Sequence, residues 1–218
     1  VEKNQIVLEH CILEPSDSLY NDTNFSKKKA QMQRDLDLYE YVKSVEGEDI
    51  DDFLKEIWES MQKTIEEGLS KEGMIHGKLN LERRAKSILE KEVPDETFDL
   101  RQARLLSAYA YATNEENATG GIMVTAPTCG ASGVLPAVLY YMKKEYNVED
   151  SLIIKALAVA GIVGNVVKKN ASISGAECGC QAEVGTACSM AAAACSYIKG
   201  LNIEKIENSA EIAMEHHL

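Results

Sequence analysis

Aromatic side chains are scarce in this sequence: Phe, Trp and Tyr make up 6% of 218 residues, with a single Trp. Sandwiches and barrels lean on aromatic and β-branched strands, so this scarcity, beside an Ala-rich C-terminal half, points to tightly packed helices. Positive charge is short as well. Against 35 Asp and Glu stand 23 Lys and Arg, a formal charge of −12. That balance builds no basic face for a phosphate backbone or an anionic membrane, so neither nucleic acid nor membrane is an expected partner. Val1 to Leu13 shows no basic start followed by an apolar core, so no secretory leader is visible there. The longest apolar run, 156–167, lies between Lys155 and Lys168 and is broken by Gly161, Gly164 and Asn165. Crossing a bilayer takes roughly 20 apolar residues, so a buried helix is expected instead. The six cysteines, Cys11, Cys129, Cys178, Cys180, Cys188 and Cys195, do not resemble the disulfide framework of a small secreted protein. Thiols or metal ligands in the cytoplasm are expected.

What is present fits one domain: 45% of the residues are apolar and 27% charged. Residues 1–45 are poorly patterned, an N-terminal segment or linker, with a loop expected over Pro15 to Lys29. The chain opens on Val1, not Met, which suggests a fragment or a processed product. From residue 46 to 218 the pattern is helical. Ile50, Phe53, Leu54, Ile57, Trp58, Met61 and Ile65 share one face of an amphipathic helix that ends at Gly68 and Gly73. Further helices are expected over Leu79–Glu92, Leu100–Thr113, Ser151–Val167 and Ala182–Ile198. Another begins after Gly133 with Pro136 in its first turn, and a last one runs from Asn202 to Met214. The fold class is therefore all-α, a bundle of buried and amphipathic helices with two Gly-rich loops as candidate active-site loops.

The first loop is Thr125-Ala126-Pro127-Thr128-Cys129-Gly130-Ala131-Ser132-Gly133. Small residues let backbone approach a ligand, and the helix start that follows offers N–H groups to a carboxylate. A plain turn with a helix cap accounts for it equally well. The second loop runs from Lys168 to Gly185 and carries Cys178, Gly179 and Cys180. A helix start beyond it would favour a thiolate, the form that ligates iron, whereas the alternative is a pair of buried small hydrophobes. The spacing does not match a zinc site, and no second Cys/His pair completes one. His216 and His217 could be ligands or a base, though solvated histidines are the default near a terminus. Cys188 and Cys195 read as packing, and His10, His76 and Cys11 offer nothing specific.

Several strings together carry a resemblance. They are Asn114-Glu115-Glu116-Asn117-Ala118, Thr125-Ala126-Pro127-Thr128, Asn170-Ala171-Ser172-Ile173-Ser174-Gly175-Ala176-Glu177, Gln181-Ala182-Glu183-Val184-Gly185, Ala187-Cys188-Ser189-Met190-Ala191 and Met214-Glu215-His216. In identity, order and spacing they resemble the iron–sulfur-dependent L-serine dehydratases, with a weaker likeness over Gly68 to Arg84. The resemblance implies β-elimination of L-serine to pyruvate and ammonia on a 4Fe–4S cluster acting as Lewis acid. It implies Cys180 as a cluster ligand, whereas Cys178 stands where the family commonly has Val. Thr128, Cys129, Gly130, Ser132, Asn170 and Ser172 match positions expected to bind substrate, and Lys168, Ser174, Glu177 and His216 positions expected to be catalytic. The family's two remaining cluster cysteines follow the point where this chain stops, so the cluster is expected to be incomplete and the piece inactive alone. An α+β domain or beta subunit and a homo-oligomer are expected of the parent enzyme. The alternatives are a pyridoxal-phosphate lyase and a non-catalytic helical module for assembly or regulation.

Overall fold

The strongest periodicity in the sequence becomes the longest amphipathic helix of the computed structural model, which describes residues 5–6, 37–77 and 80–216. Readings at His10, Cys11, 15–29, Leu79 and His217 lie outside those residues. Helix α1, Leu38–Glu46, starts where the Asp37 carboxylate accepts the Glu40 N–H at 2.8 Å and stops at Gly47, whose φ is +94°. It falls within the segment in which the pattern marked no element. Helix α2, Ile50–Ser70, turns Ile50, Leu54, Ile57, Trp58, Met61 and Ile65 inward. Burying each such side chain contributes roughly 1.5–3 kcal/mol.

The sequence suggests a helix over 79–92, but the chain there forms a small hairpin and a single helical turn. A strand at Met74–Ile75 pairs antiparallel with one at Leu81–Glu82, and α3 covers only Ala85–Leu89. Gly73 at φ +93° and Asn80 at φ +48° bend backbone that an amphipathic pattern cannot mark. Helix α4, Phe98–Ala118, begins on the Thr97 hydroxyl and runs one turn past the expected end. Just before the first loop lies a two-residue strand, Met123–Val124, parallel to Gln5–Ile6.

Helix α5, Val134–Tyr146, starts at Gly133 as expected, with Pro136 in its first turn. Helix α6, Asp150–Asn170, exceeds the expected span at both ends and, by length and composition, could cross a membrane. Ile153, Ala156, Val159, Ala160, Ile162 and Val163 of that helix are instead buried among α1, α2 and the helices that follow. After α6 come a short helix, α7 (Gly175–Cys178), and a π-helical turn, Gln181–Gly185, which leads directly into α8, Thr186–Ile198. The sequence places the loop as far as Gly185 and a helix from about Ala182, and this turn occupies the overlap. Gly200, at φ +69°, and the Asn202 cap turn the chain into α9, Ile203–Glu215. This is an all-α fold with α8 at its centre, packed by α5, α6 and α9. Its alanines permit that closeness, and a Cβ on Gly164 of α6 would lie 3.0 Å from the Met190 sulfur.

Candidate functional site

Helix α4 ends on the Asn114–Ala118 string, and three of its polar side chains have a task. The Glu115 carboxylate accepts the Arg84 and Ala85 N–H groups at 2.6 and 3.1 Å, holding the start of α3. Glu116, only 1% exposed, accepts Arg83 at 2.8 Å and Lys71 at 2.5 Å. Asn117 donates through Nδ2 to the Cys129 carbonyl at 3.0 Å. A Cβ on Gly133 would lie 2.7 Å from the Ala110 carbonyl oxygen, so that glycine lets α5 start against α4. The string is thus a clamp that fixes the first loop, 125–133, to the helical core.

Within that loop, the Cys129 carbonyl also accepts the Ser132 hydroxyl at 2.8 Å, and Ser132 is fully buried. The Ser132 hydroxyl, at a position expected to bind substrate, thus places its proton on the backbone of its own loop. Thr128 and Cys129 are half-buried, and Gly130 is exposed. The Thr128 hydroxyl has one proton to donate, and it goes to the Glu183 carboxylate at 2.7 Å. Its oxygen is then an acceptor, with the Ala131 N–H at a long 3.4 Å.

The second loop arrives at the same carboxylate. A Cβ on Gly175 would stand 2.2 Å from Glu183 Oε2, and one on Gly130 would stand 2.9 Å from Oε1. Both glycines must lack a side chain for this acid to fit between them. Glu183 is the residue that the sequence reading missed. It lies inside the quoted Gln181–Gly185 string, but only the fold shows that it points back at both loops.

Lys168, Asn170, Ser172, Ser174, Glu177 and Cys180 share one exposed to half-buried stretch. Lys168 and Asn170 end α6, where Asn170 Nδ2 donates to the Val166 carbonyl at 2.9 Å. The Ser172 hydroxyl donates to Glu177 at 2.5 Å and accepts the Ser174 N–H at 3.0 Å, tying the link before α7. Cys178 and Cys180 are both exposed, on either side of Gly179 at φ +73°, so neither is a buried packing thiol. Cys188 and Cys195 are half-buried, and burial pushes their thiols up from the ordinary range.

Helix α9 packs along α8, with the Ser189 hydroxyl donating to the Ala210 carbonyl at 2.6 Å, and it also touches the π-helical turn. The antiparallel course brings its C-terminal end, and His216, toward the start of α8. His216 Nδ1 lies 2.9 Å from the Ile212 carbonyl. A carbonyl only accepts, so Nδ1 carries a proton and, in the neutral ring, Nε2 holds the open lone pair. Among the described residues, no group of three or more His, Cys, Asp or Glu side chains could hold a metal ion.

Comparison with known proteins agrees with the strings. Residues 13–218 match the family described as serine dehydratase alpha chain. The L-serine dehydratase of Streptomyces coelicolor is 45% identical over 172 residues, covering 78% of this chain and 38% of that protein. The L-serine dehydratase 2 of Escherichia coli is 42% identical over 201 residues, covering 90% of this chain and 43% of that protein. The Haemophilus influenzae L-serine dehydratase is 46% identical over 169 residues, covering 76% and 37%. The chain spans about two fifths of the length of these relatives.

Proposed function

Since the chain belongs to the serine dehydratase alpha chain family, we propose that the protein containing it eliminates water from L-serine and releases pyruvate and ammonia. A base removes the α-proton, the β-hydroxyl departs as water, and the aminoacrylate left behind hydrolyses. The observation that supports this most is the convergence of two small-residue loops on one carboxylate, in a chain 45% identical to a protein named for this reaction.

The reading includes a 4Fe–4S cluster, which when bound would supply a Lewis acid to polarise the departing hydroxyl. Cys180 suits one ligand position, being exposed beside a left-handed glycine. The described residues do not complete a ligand set, so the other thiolates would come from elsewhere in the protein. His216, with Nδ1 held by the Ile212 carbonyl, offers Nε2 as the base for the α-proton. The Ser172–Glu177 pair fixes the stretch of chain between Asn170 and Cys180, while Lys168 is an exposed residue in the last turn of α6.

The test uses the full-length protein with iron and sulfide added without oxygen, reading visible absorbance and pyruvate formation. Cys180→Ser should abolish both signals and Cys178→Ser neither; the opposite pattern rejects the ligand assignment. His216→Gln should lower kcat by about 10²- to 10⁴-fold, the usual worth of a general base, with the absorbance unchanged. Serine turnover in a metal-free preparation supplied with pyridoxal phosphate would overturn the iron reading.

A further inference from the structure

The substrate proposed above carries three recognisable groups: a carboxylate, a hydroxyl and an α-ammonium. The first loop, judged by sequence, suits the carboxylate. Glu183 changes that assignment. Its carboxylate meets the loop at Thr128, 2.7 Å away, and at Gly130, whose missing Cβ would be 2.9 Å from Oε1. A fixed negative charge at this distance repels a carboxylate and attracts a cation. Thr128 has spent its only proton on Glu183 and presents an acceptor, which again suits a donor ligand. The Thr128 hydroxyl is the one donor among the described side chains that reaches Glu183, through Oε1, and it leaves Oε2, beside the Gly175 backbone, without a side-chain donor. The acid is half-buried, hence within reach of a small ligand.

We propose that Glu183, with the Thr128 oxygen, receives the α-ammonium of the amino-acid substrate in the notch between Gly130 and Gly175. This inference rests on the serine reading. It makes the site selective for amino acids over hydroxy acids of the same shape. A pure latch between the loops, with no ligand contact, is the competing account.

The two are separated in the full-length reconstituted protein with L-serine and its amine-free analogue, 3-hydroxypropionate, as competitive inhibitor. In E183Q the Thr128 bond can persist while the charge is gone. KM for serine should then rise about 10- to 100-fold, the factor expected when a charge-assisted hydrogen bond is lost. The inhibition constant of 3-hydroxypropionate should stay level or improve. The ratio of the two constants is the readout, because a damaged fold weakens both ligands together. E183D, which keeps the charge but shortens its reach, should raise the ratio less than E183Q. A ratio unchanged in both variants, or a parallel loss of both ligands, overturns the proposal in favour of the latch. Absence of serine turnover by the unaltered protein would instead refute the reaction assigned above.

Discussion

Replacing Glu116 by Ala isolates the clamp at the end of α4. Glu116 is 1% exposed and Arg83 is 7% exposed along its side chain, with 2.8 Å between their charged atoms. Removing the acid strands a buried guanidinium, which costs about 3–5 kcal/mol in comparable pairs. Two features pull the figure toward the lower end. Lys71, the second partner, is 44% exposed and can return to water, and Glu115 Oε2 lies 3.9 Å from Arg83. That oxygen is buried without a hydrogen-bond partner, so it is placed to take up the orphaned charge. A loss of about 3 kcal/mol in a domain of this size lowers Tm by roughly 6–12 °C. Thermal unfolding followed by far-UV circular dichroism reads this directly. The double variant Arg83→Met with Glu116→Leu should recover much of the loss, since no charge is left unpaired. A Tm within 2 °C of the parent for Glu116→Ala, or a double variant worse than the single one, would refute the clamp.

Other outcomes follow from the same packing. Gly68→Ala should destabilise by about 1–3 kcal/mol in urea unfolding despite the better helix propensity of alanine, because the new Cβ would sit 2.4 Å from the Ala112 carbonyl oxygen. A neutral result would mean that α2 and α4 can slide apart. Burial tends to raise the carboxyl of Asp150, but hydrogen bonds from Lys143 and Trp58 outweigh it and hold it low; Arg104 holds Glu96 low in the same sense. Acids depressed in the folded state stabilise it above their unfolded pKa, near 4, and that contribution is lost as pH falls through the lower folded values. Urea midpoints should therefore drop below about pH 4, with a shallower drop in Asp150→Asn. Brief alkylation at neutral pH should label Cys178 and Cys180 before Cys188 and Cys195, whose thiols burial raises; peptide mass spectrometry gives the order, and equal labelling would contradict the packing of α8.

The helices that bury an unbroken stripe were legible. Ile50 to Ile65 alternates with charge at helical spacing, and the inward residues are those of α2. The caps at Gly133 and Asn202 were legible too, because a missing side chain and a short polar one have single tasks at helix ends. The 74–82 hairpin was not. Its described residues are exposed or half-exposed, and its bends rest on Gly73 and Asn80 at positive φ, which no hydrophobic period records. At the candidate site the sequence offered the two loops, and the structure brings them together. The burial of Ser132 was not legible, because a hydroxyl bonded to its own loop has the same letter as one facing a ligand. Glu183 was missed because its partners, Thr128 and Gly130, are more than fifty residues away along the chain. Local spacing cannot show a contact of that kind.

The π-helical turn at Gln181–Gly185 acts on everything before it as a phase shifter. Such a turn is an α-helix carrying one surplus residue. Excising one residue there would leave a continuous α-helix into α8 but rotate Glu183 and Cys180 by about 100° around its axis. The core contacts of α8 would survive, while the acid would swing out of its glycine notch. Length polymorphism at this turn is therefore a sharper gauge of whether a related sequence keeps this arrangement than any conservative exchange within it.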